Sequence, residues 1–401
     1  MPFTLAHLPT ELLEMIATAL AGDFAQAYSE EGKVICTLRS TCREARDKLD
    51  TKFFSTYFTS RYLWLEERKV AELDTISQRP DLADRLTELS VVCKADPGDL
   101  NDAFEAGQSL VAPGGVARTL GAILGRLKNL ESLDFVDAAN DKLPPAGPGH
   151  DVSSTFTALM LALGLCKRSV KDMCFHSDDS QSSRWRVVGL PDPRTLLCLA
   201  PSLAMLERLD LSTFCAPILT NKVLSGTRIG SELAVALGRC TQLKELSLRM
   251  LYTNEASEAF GTLASTLELP RLRYFKLYVS SCTISDLNIF LLRNAVSLRH
   301  LNLENVVFLP DSSTTFTSLL DMMLKHLSLT TIEVRHLRIY ATDGSGHRIA
   351  IGFPGLSEVF WYEEPDDDDF TIVETFLDLE GAEGLHTELT QMKTCVTYTL
   401  L

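Results

Sequence analysis

Apolar residues recur along this chain in two alternating patterns. One is a short run, Leu-x-x-Leu-x-Leu or its apolar equivalent. It occurs as Leu86-Leu89-Val91, Leu130-Leu133-Phe135, Val170-Met173-Phe175, Leu206-Leu209-Leu211 and Leu243-Leu246-Leu248. It continues as Leu272-Phe275-Leu277, Leu298-Leu301-Leu303, Leu329-Ile332-Val334 and Leu356-Val359-Trp361. Alternation at the end of each run predicts a strand with one buried face. The second pattern is a helical stripe ahead of most runs: Val116, Leu120, Ile123, Leu124 and Leu127; Phe156, Leu159, Met160 and Leu163; Leu233 and Leu237. Phe260, Leu263 and Leu267, then Leu287, Phe290 and Leu291, then Phe316, Leu319, Leu320 and Met323 repeat it. Helix then strand, many times over, predicts an α/β solenoid. One such unit cannot bury its apolar face alone, whereas stacked neighbours build a continuous core.

The first residues follow a different rule. Residues 5–20 read LAHLPTELLEMIATAL, with Thr10, Glu11, Glu14 and Thr18 on one narrow stripe and apolar residues over the rest of the cylinder. Pro9 presets a helical φ, and Glu11 and Glu14 suit the positive end of the helix dipole. A surface helix needs only about a 100° apolar stripe, so this helix predicts cover on two sides, its own domain and a partner. Val34, Ile35, Leu38, Cys42, Ala45 and Leu49 give a second helical stripe. The aromatic alternation of residues 51–65 predicts a strand, and residues 67–78 a helix ending before Pro80.

The pattern Leu8-Pro9-x-Glu11-Leu12-Leu13-x-x-Ile16, with Leu5 before it and Leu20 after, resembles the opening helix of an F-box. Val34-Ile35-Cys36-Thr37-Leu38-Arg39-Ser40-Thr41-Cys42-Arg43-Glu44 resembles the closing helix. Phe53-Phe54 and Leu63-Trp64-Leu65 are similar to the continuation in many fungal F-box proteins. The later runs resemble leucine-rich repeats. Their spacing of 26 to 44 residues, against a usual repeat of about 20–29, places insertions in the early units. Where such repeats carry Asn or Cys, this chain has Phe214, Leu251, Ser280, Val306 and Leu337, so no asparagine ladder is expected.

Together these imply an α/β protein: a three-helix F-box followed by an irregular leucine-rich-repeat α/β solenoid, a horseshoe. The expected divisions are residues 1–50 for the F-box and 51–85 for a linking strand and helix. Residues 86–401 form the repeat domain, with a helical cap over residues 371–379. The resemblance implies docking on a Skp-family adaptor, and through it a cullin, in an SCF-type ubiquitin ligase whose target protein is held by the repeats. The adaptor-binding residues carried over are Leu8, Pro9, Leu12, Ile16, Leu20, Val34, Ile35 and Leu38. Such a receptor positions its target and supplies no acid, base or nucleophile, so it is expected not to be an enzyme. The alternative is a leucine-rich-repeat interaction scaffold unrelated to ubiquitination, with the N-terminal helices as an end cap.

Composition narrows the function classes. A formal net charge of −15 argues against nucleic acid, whose phosphates require a basic surface. The ten cysteines form no CxxC pair and sit mostly in apolar runs, as buried reduced thiols of an intracellular protein do. With no signal peptide and no apolar stretch near the ~20 residues of a membrane span, the expected location is cytoplasm or nucleus.

No catalytic constellation emerges. Asp343-Gly344-Ser345-Gly346-His347 is glycine-rich but lacks a P-loop lysine. Cys174 and His176 lack the second ligand pair of a zinc site. No metal or cofactor is expected. The better lead is the residues between the leucines, which side-chain alternation directs to the concave strand face. Arg249, Tyr274, Lys276, Tyr278, His300 and Asn302 are the candidate target-binding residues, since Tyr and Arg are enriched at binding hot spots.

Overall fold

The computed structural model describes residues 9–21, 37, 40, 43–93, 115–137, 152–176, 203–214, 226–250, 254–311, 315–340, 348–352, 358–363, 371–380, 387, 389–393 and 397–400. The chain divides into two compact units, Met1–Arg168 and Ser169–Leu401.

In the first unit, helix α1 (Thr10–Ala21) begins directly after Pro9, whose carbonyl accepts the Leu13 N–H at 3.1 Å. It packs on α2 (Arg43–Phe58), with Leu13, Ala45 and Leu49 buried. Residues 22–36, which take in the polar segment between the two F-box-like helices and the start of the second, lie outside the described residues. The sequence predicts strand for the aromatic stretch after residue 51, yet α2 continues to Phe58 and strand β1 is confined to Ser60–Trp64. Phe53 and Tyr57, like Phe54 and Phe58, are four apart, so a short aromatic run satisfies helical spacing as well as alternation.

Helices α3 (Glu67–Ser77) and α4 (Pro80–Ala83) follow, then β2 (Glu88–Cys93), α5 (Val116–Arg126), β3 (Ser132–Asp137) and α6 (Val152–Cys166). The strands β1, β2 and β3 are parallel, and Leu63, Val91 and Phe135 share one buried row. Arg126 binds Asp74 and donates from Nε to Ser77 Oγ at 2.9 Å, fastening α5 to α3.

The second unit contains β4 (Asp172–His176), β5 (Arg208–Phe214), α7 (Gly226–Leu237), β6 (Glu245–Met250) and α8 (Asn254–Thr266). It continues with β7 (Tyr274–Thr283), α9 (Ile284–Arg293), β8 (His300–Leu309), α10 (Phe316–His326) and β9 (Thr331–Arg335). Strands β4 to β9 pair in sequence order, all parallel. Their register aligns the leucines in two continuous rows, Leu209, Leu246, Phe275, Leu301 and Ile332, and Leu211, Leu248, Leu277, Leu303 and Val334, all buried. This parallel α/β arrangement is compatible with a solenoid. Aromatic rings join successive units: Phe290 on α9 lies 4.4 Å from Phe275 on β7 and 5.9 Å from Phe260 on α8.

Strands β7 and β8 extend well past their leucine runs. At one equivalent position in three successive units the backbone is left-handed, at Val279 (φ 44°), Asn305 (φ 53°) and His336 (φ 52°). Beyond this kink pairing resumes, Ser280 with Val306 and Cys282 with Phe308. Ser280 Oγ accepts the Met250 N–H at 2.9 Å and donates to the Tyr278 carbonyl at 2.7 Å. A serine thus satisfies backbone where the usual asparagine is missing.

The remaining strands are β10 (Arg338–Tyr340), β11 (Arg348–Gly352), β12 (Glu358–Glu363), β13 (Thr371–Glu380) and β14 (Thr397–Leu400). Strand β10 pairs with β8, and β11 and β14 extend the pairing from there. This end of the chain corrects two expectations. The ninth run falls on β12, but that strand is antiparallel to β13 and does not extend the parallel series. Residues 371–379 are not a capping helix: they belong to β13, which is antiparallel to β9 as well. Val373, Thr375, Leu377 and Leu379 recur at period two, and that alternation prevails over the helical reading.

Close helix packing in the second unit depends on Gly230 of α7, where an added Cβ would lie 2.2 Å from the Ala259 carbonyl oxygen on α8. Among the described residues, a Cβ added at Gly125 on α5 meets nothing nearer than 3.6 Å. Gly230→Ala should lower stability by about 1–3 kcal/mol through overpacking. Gly125→Ala should be neutral or stabilising by up to about 1 kcal/mol through helix propensity. Urea midpoints of the two variants measure this difference, and equal midpoints would contradict it.

Candidate functional site

Two surfaces carry the residues singled out by sequence. The first is the outward face of β5–β9, opposite the leucine rows. Register places Arg208, Glu245, Tyr274, His300 and Thr331 in one cross-strand row. Asp210, Ser247, Lys276, Asn302 and Glu333 form the second, and Arg249, Tyr278, Glu304 and Arg335 the third. All six candidate residues therefore share one surface. Side chains opposite each other on neighbouring strands interact directly, and here they form a network.

Asn302 Nδ2 donates to Glu333 Oε2 at 2.6 Å, and Lys276 Nζ lies 2.7 Å from Glu304 Oε2. The Lys276 ammonium also sits 4.8 Å from the Tyr278 ring centroid, with the Arg249 guanidinium at 5.8 Å from the same ring. Tyr274 and His300 are neighbours at 6.5 Å between ring centroids. Arg249 is only 7% exposed and Asn302 only 4%, while Tyr274, Lys276, Tyr278 and His300 are half-buried. Arg249 and Asn302 therefore act as supports for the half-buried side chains beside them. The three rows contain four Arg or Lys side chains and four carboxylates, so the face is charge-compensated (Arg208, Arg249, Lys276 and Arg335 against Asp210, Glu245, Glu304 and Glu333).

Burial pushes the Tyr274 phenol up to about 12; Glu333, Asp210 and Glu245 add to the rise, and a hydrogen bond with Asn302 opposes it.

The second surface is α1. At about 100° per residue, Leu12, Met15 and Ile16 fall within one sector, and Leu13 points elsewhere. Leu13 is fully buried, whereas Leu12 is 44% and Met15 65% exposed, with Ile16 between these extremes. Pro9 is exposed at the helix start. Of the other expected adaptor-binding residues, Leu8, Val34, Ile35 and Leu38 lie outside the described residues, as does the side chain of Leu20. Sequence reasoning did not single out Met15, whose exposure exceeds that of Leu12. Its place three residues after Leu12 was the available signal.

Elsewhere the described residues offer little chemistry. Burial pushes the thiol of Cys240 up to about 12 and that of Cys282 higher still, which keeps both protonated and poor nucleophiles. Among the described residues no cluster of three His, Cys, Asp or Glu side chains is placed to hold a metal ion, and no helix is long and apolar enough to cross a membrane. The segment 343–347 lies outside them.

No protein-family profile and no curated protein matches the chain. Solved structures do match. One, titled "Crystal structure of Rad7 and Elc1 complex in yeast", is 14% identical over 80% of this chain and 85% of that one, with a TM-score of 0.24. A likeness at that level assigns neither family nor function.

The Tyr274 environment makes a pH prediction. Its folded pKa of about 12 lies above the ordinary value of 10. Its contribution to stability is therefore complete below pH 10 and is lost as pH rises from about 10 to 12. Tyr274→Phe should lose less stability than wild type across that interval. Thermal midpoints against pH measure the slope, and parallel curves would contradict the assignment.

Proposed function

We propose that this protein is a substrate receptor of an SCF-type ubiquitin ligase, with α1 docking on a Skp-family adaptor and the outward strand face of β5–β9 holding a target protein. The observation that carries this reading is the division of α1 into a buried Leu13 and a solvent-facing pair, Leu12 and Met15. Leaving two large apolar side chains of one helical sector in water is unfavourable unless a partner covers them. Leu12 and Ile16 are also positions at which the F-box resemblance places adaptor contacts.

Magnitudes set the extent of the interface. Fully burying an aliphatic side chain is worth about 1.5–3 kcal/mol, so covering what remains open on Leu12, Met15 and Ile16 yields roughly 2–4 kcal/mol. Association costs about 4–15 kcal/mol. Docking therefore needs further apolar residues, and Leu8, Leu20, Val34, Ile35 and Leu38 are the ones the F-box resemblance assigns to that surface. A cullin would join through the adaptor, and the receptor would contribute by raising the local concentration of its target without a catalytic group of its own. Action in the cytoplasm or nucleus accompanies this proposal. On the target side, Tyr274, Tyr278 and His300 supply half-buried rings on a braced, charge-balanced surface. Such rigid rings bind with little loss of side-chain freedom.

Leu12→Asp places a charge on the exposed sector without burying it in the fold. It should abolish capture of a purified Skp-family adaptor, a loss of at least about 2 kcal/mol, and leave the thermal midpoint unchanged. Leu13→Asp should instead unfold the α1–α2 pair. Adaptor titration by calorimetry reads the first effect, and undiminished affinity in Leu12→Asp would remove the docking assignment.

A further inference from the structure

Helix α8 carries a polar trough on its outer side, away from the sheet, that the repeat pattern did not reveal. Its floor is Ser257, Gly261 and Ser265. They are spaced four residues apart, hence on one face at intervals of about 6 Å. Thr227 of α7 lines one wall, and Thr283 and Asp286 at the start of α9 line the other, around a volume of about 400 Å³. A Cβ added at Gly261 would lie 3.0 Å from Asp286 Oδ2, so the missing side chain lets that carboxylate lean over α8.

Hydrogen bonding leaves this trough rich in acceptors. Thr262 Oγ1 donates to the Glu258 carbonyl at 2.9 Å, Ser265 Oγ to the Thr262 carbonyl at 2.9 Å, and Thr283 Oγ1 to Asp286 Oδ2 at 2.7 Å. A hydroxyl has one proton to give, so these three oxygens have only lone pairs left to offer. The Glu258 carboxylate is exposed in the trough and makes no ion pair among the described residues. No Lys or Arg among them lines it, and Arg228, next to Thr227, is already paired with Glu232 at 3.0 Å. Ser257 is the decisive residue. It is only 6% exposed, yet its hydroxyl has no hydrogen-bond partner among the described residues and borders the trough. Burying a hydroxyl unpaired is unfavourable, and a ligand in the trough would relieve it.

We infer that the trough receives arginine side chains from a helix of a protein partner. A guanidinium presents five N–H donors in one plane and no acceptor, the complement of a surface made of carboxylates and spent hydroxyls. Its bonds to carboxylates are charge-assisted and often paired. The ammonium of lysine has three donors and is more strongly hydrated, so it gains less from a shallow row of hydroxyls. A metal ion needs ligands converging on one point, and no three acidic, His or Cys side chains are so placed among the described residues. The floor runs straight for two turns, about 12 Å. Small residues at every fourth position let a second helix lie close along it, as ridges enter i±4 grooves.

The trough makes no use of α1 or of the outward strand face, so its failure would leave the adaptor and target assignments standing, and the reverse. The test uses the full-length protein and fluorescein-labelled alanine peptides of about 20 residues, long enough for helix in water. Every fourth position is arginine, lysine or glutamine, which removes any dependence on register. Fluorescence anisotropy should show the arginine helix bound at least about tenfold more tightly than the glutamine helix, as expected for charge-assisted hydrogen bonds. The lysine helix should fall between them, and added salt should weaken both charged peptides. Glu258→Gln combined with Asp286→Asn should lose at least about tenfold for the arginine helix. Glu268→Gln, which removes an exposed carboxylate outside the trough, should lose nothing. Ser257→Ala should weaken binding severalfold and leave the thermal midpoint unchanged or higher, because it deletes an unpaired buried hydroxyl. Equal binding of the arginine and lysine helices would mean attraction by net charge alone and would overturn the inference. Full affinity in the double variant, an equal loss in Glu268→Gln, or unchanged affinity in Ser257→Ala would overturn it too.

Discussion

The parallel register of β5 to β9 is the constraint from which the rest follows. Each strand places its leucines opposite those of its neighbours, so the apolar side chains form unbroken rows that helices must cover. Apolar burial drives this arrangement, and main-chain pairing fixes its register. A one-residue slip would turn every leucine outward. Because register is so firmly held, the intervening polar side chains are delivered to the opposite face at fixed spacing. Lys276 meets Glu304, and Asn302 meets Glu333, because Leu277, Leu303 and Val334 are aligned beneath them.

Helix α1 obeys the same one-sided logic at smaller scale. Leu13 is fixed against α2, which leaves Leu12 and Met15 only partly covered, 44% and 65% exposed. In both places the buried side decides position and the open side is free for recognition. The trough on α8 is a third consequence. The stacking that keeps the units in step also sets Asp286 of α9 against Gly261 of α8. Structural periodicity thus yields three chemically distinct surfaces, apolar, balanced and anionic.

Much of the arrangement was legible in the sequence because the leucine runs and helical stripes are strong periodic signals. The eight runs from Leu86 to Val334 all coincide with parallel strands, and each helical stripe, from the one opening at Val116 to the one closing at Met323, coincides with a helix. Where periodicity was short it misled. Residues 51–58 satisfy two periods at once, and a helical reading of the β13 segment takes the wrong one. Long-range polar contacts left no trace in local pattern. Asn294 is one: its side chain accepts the Leu269 N–H and donates to the Phe290 carbonyl, each at 2.8 Å, joining two units. The α8 trough was illegible for the same reason, since Gly261 and Asp286 are separated by β7 in the chain and adjacent only through the packing of α9 on α8. The six outward candidates were correctly placed on one face, but burial of Arg249 and Asn302 could not be read from alternation alone.

Helix α1 is buried on one side by its own unit and, on the reading proposed above, on the other by an adaptor. Hydroxyl-radical footprinting of the intact chain measures this at a single side chain, because the thioether of Met15 is both exposed and readily oxidised. Excess Skp-family adaptor should slow Met15 oxidation severalfold while Met205, exposed in the second unit, reacts as before. Oxidation of Met15 at an unchanged rate would contradict the account.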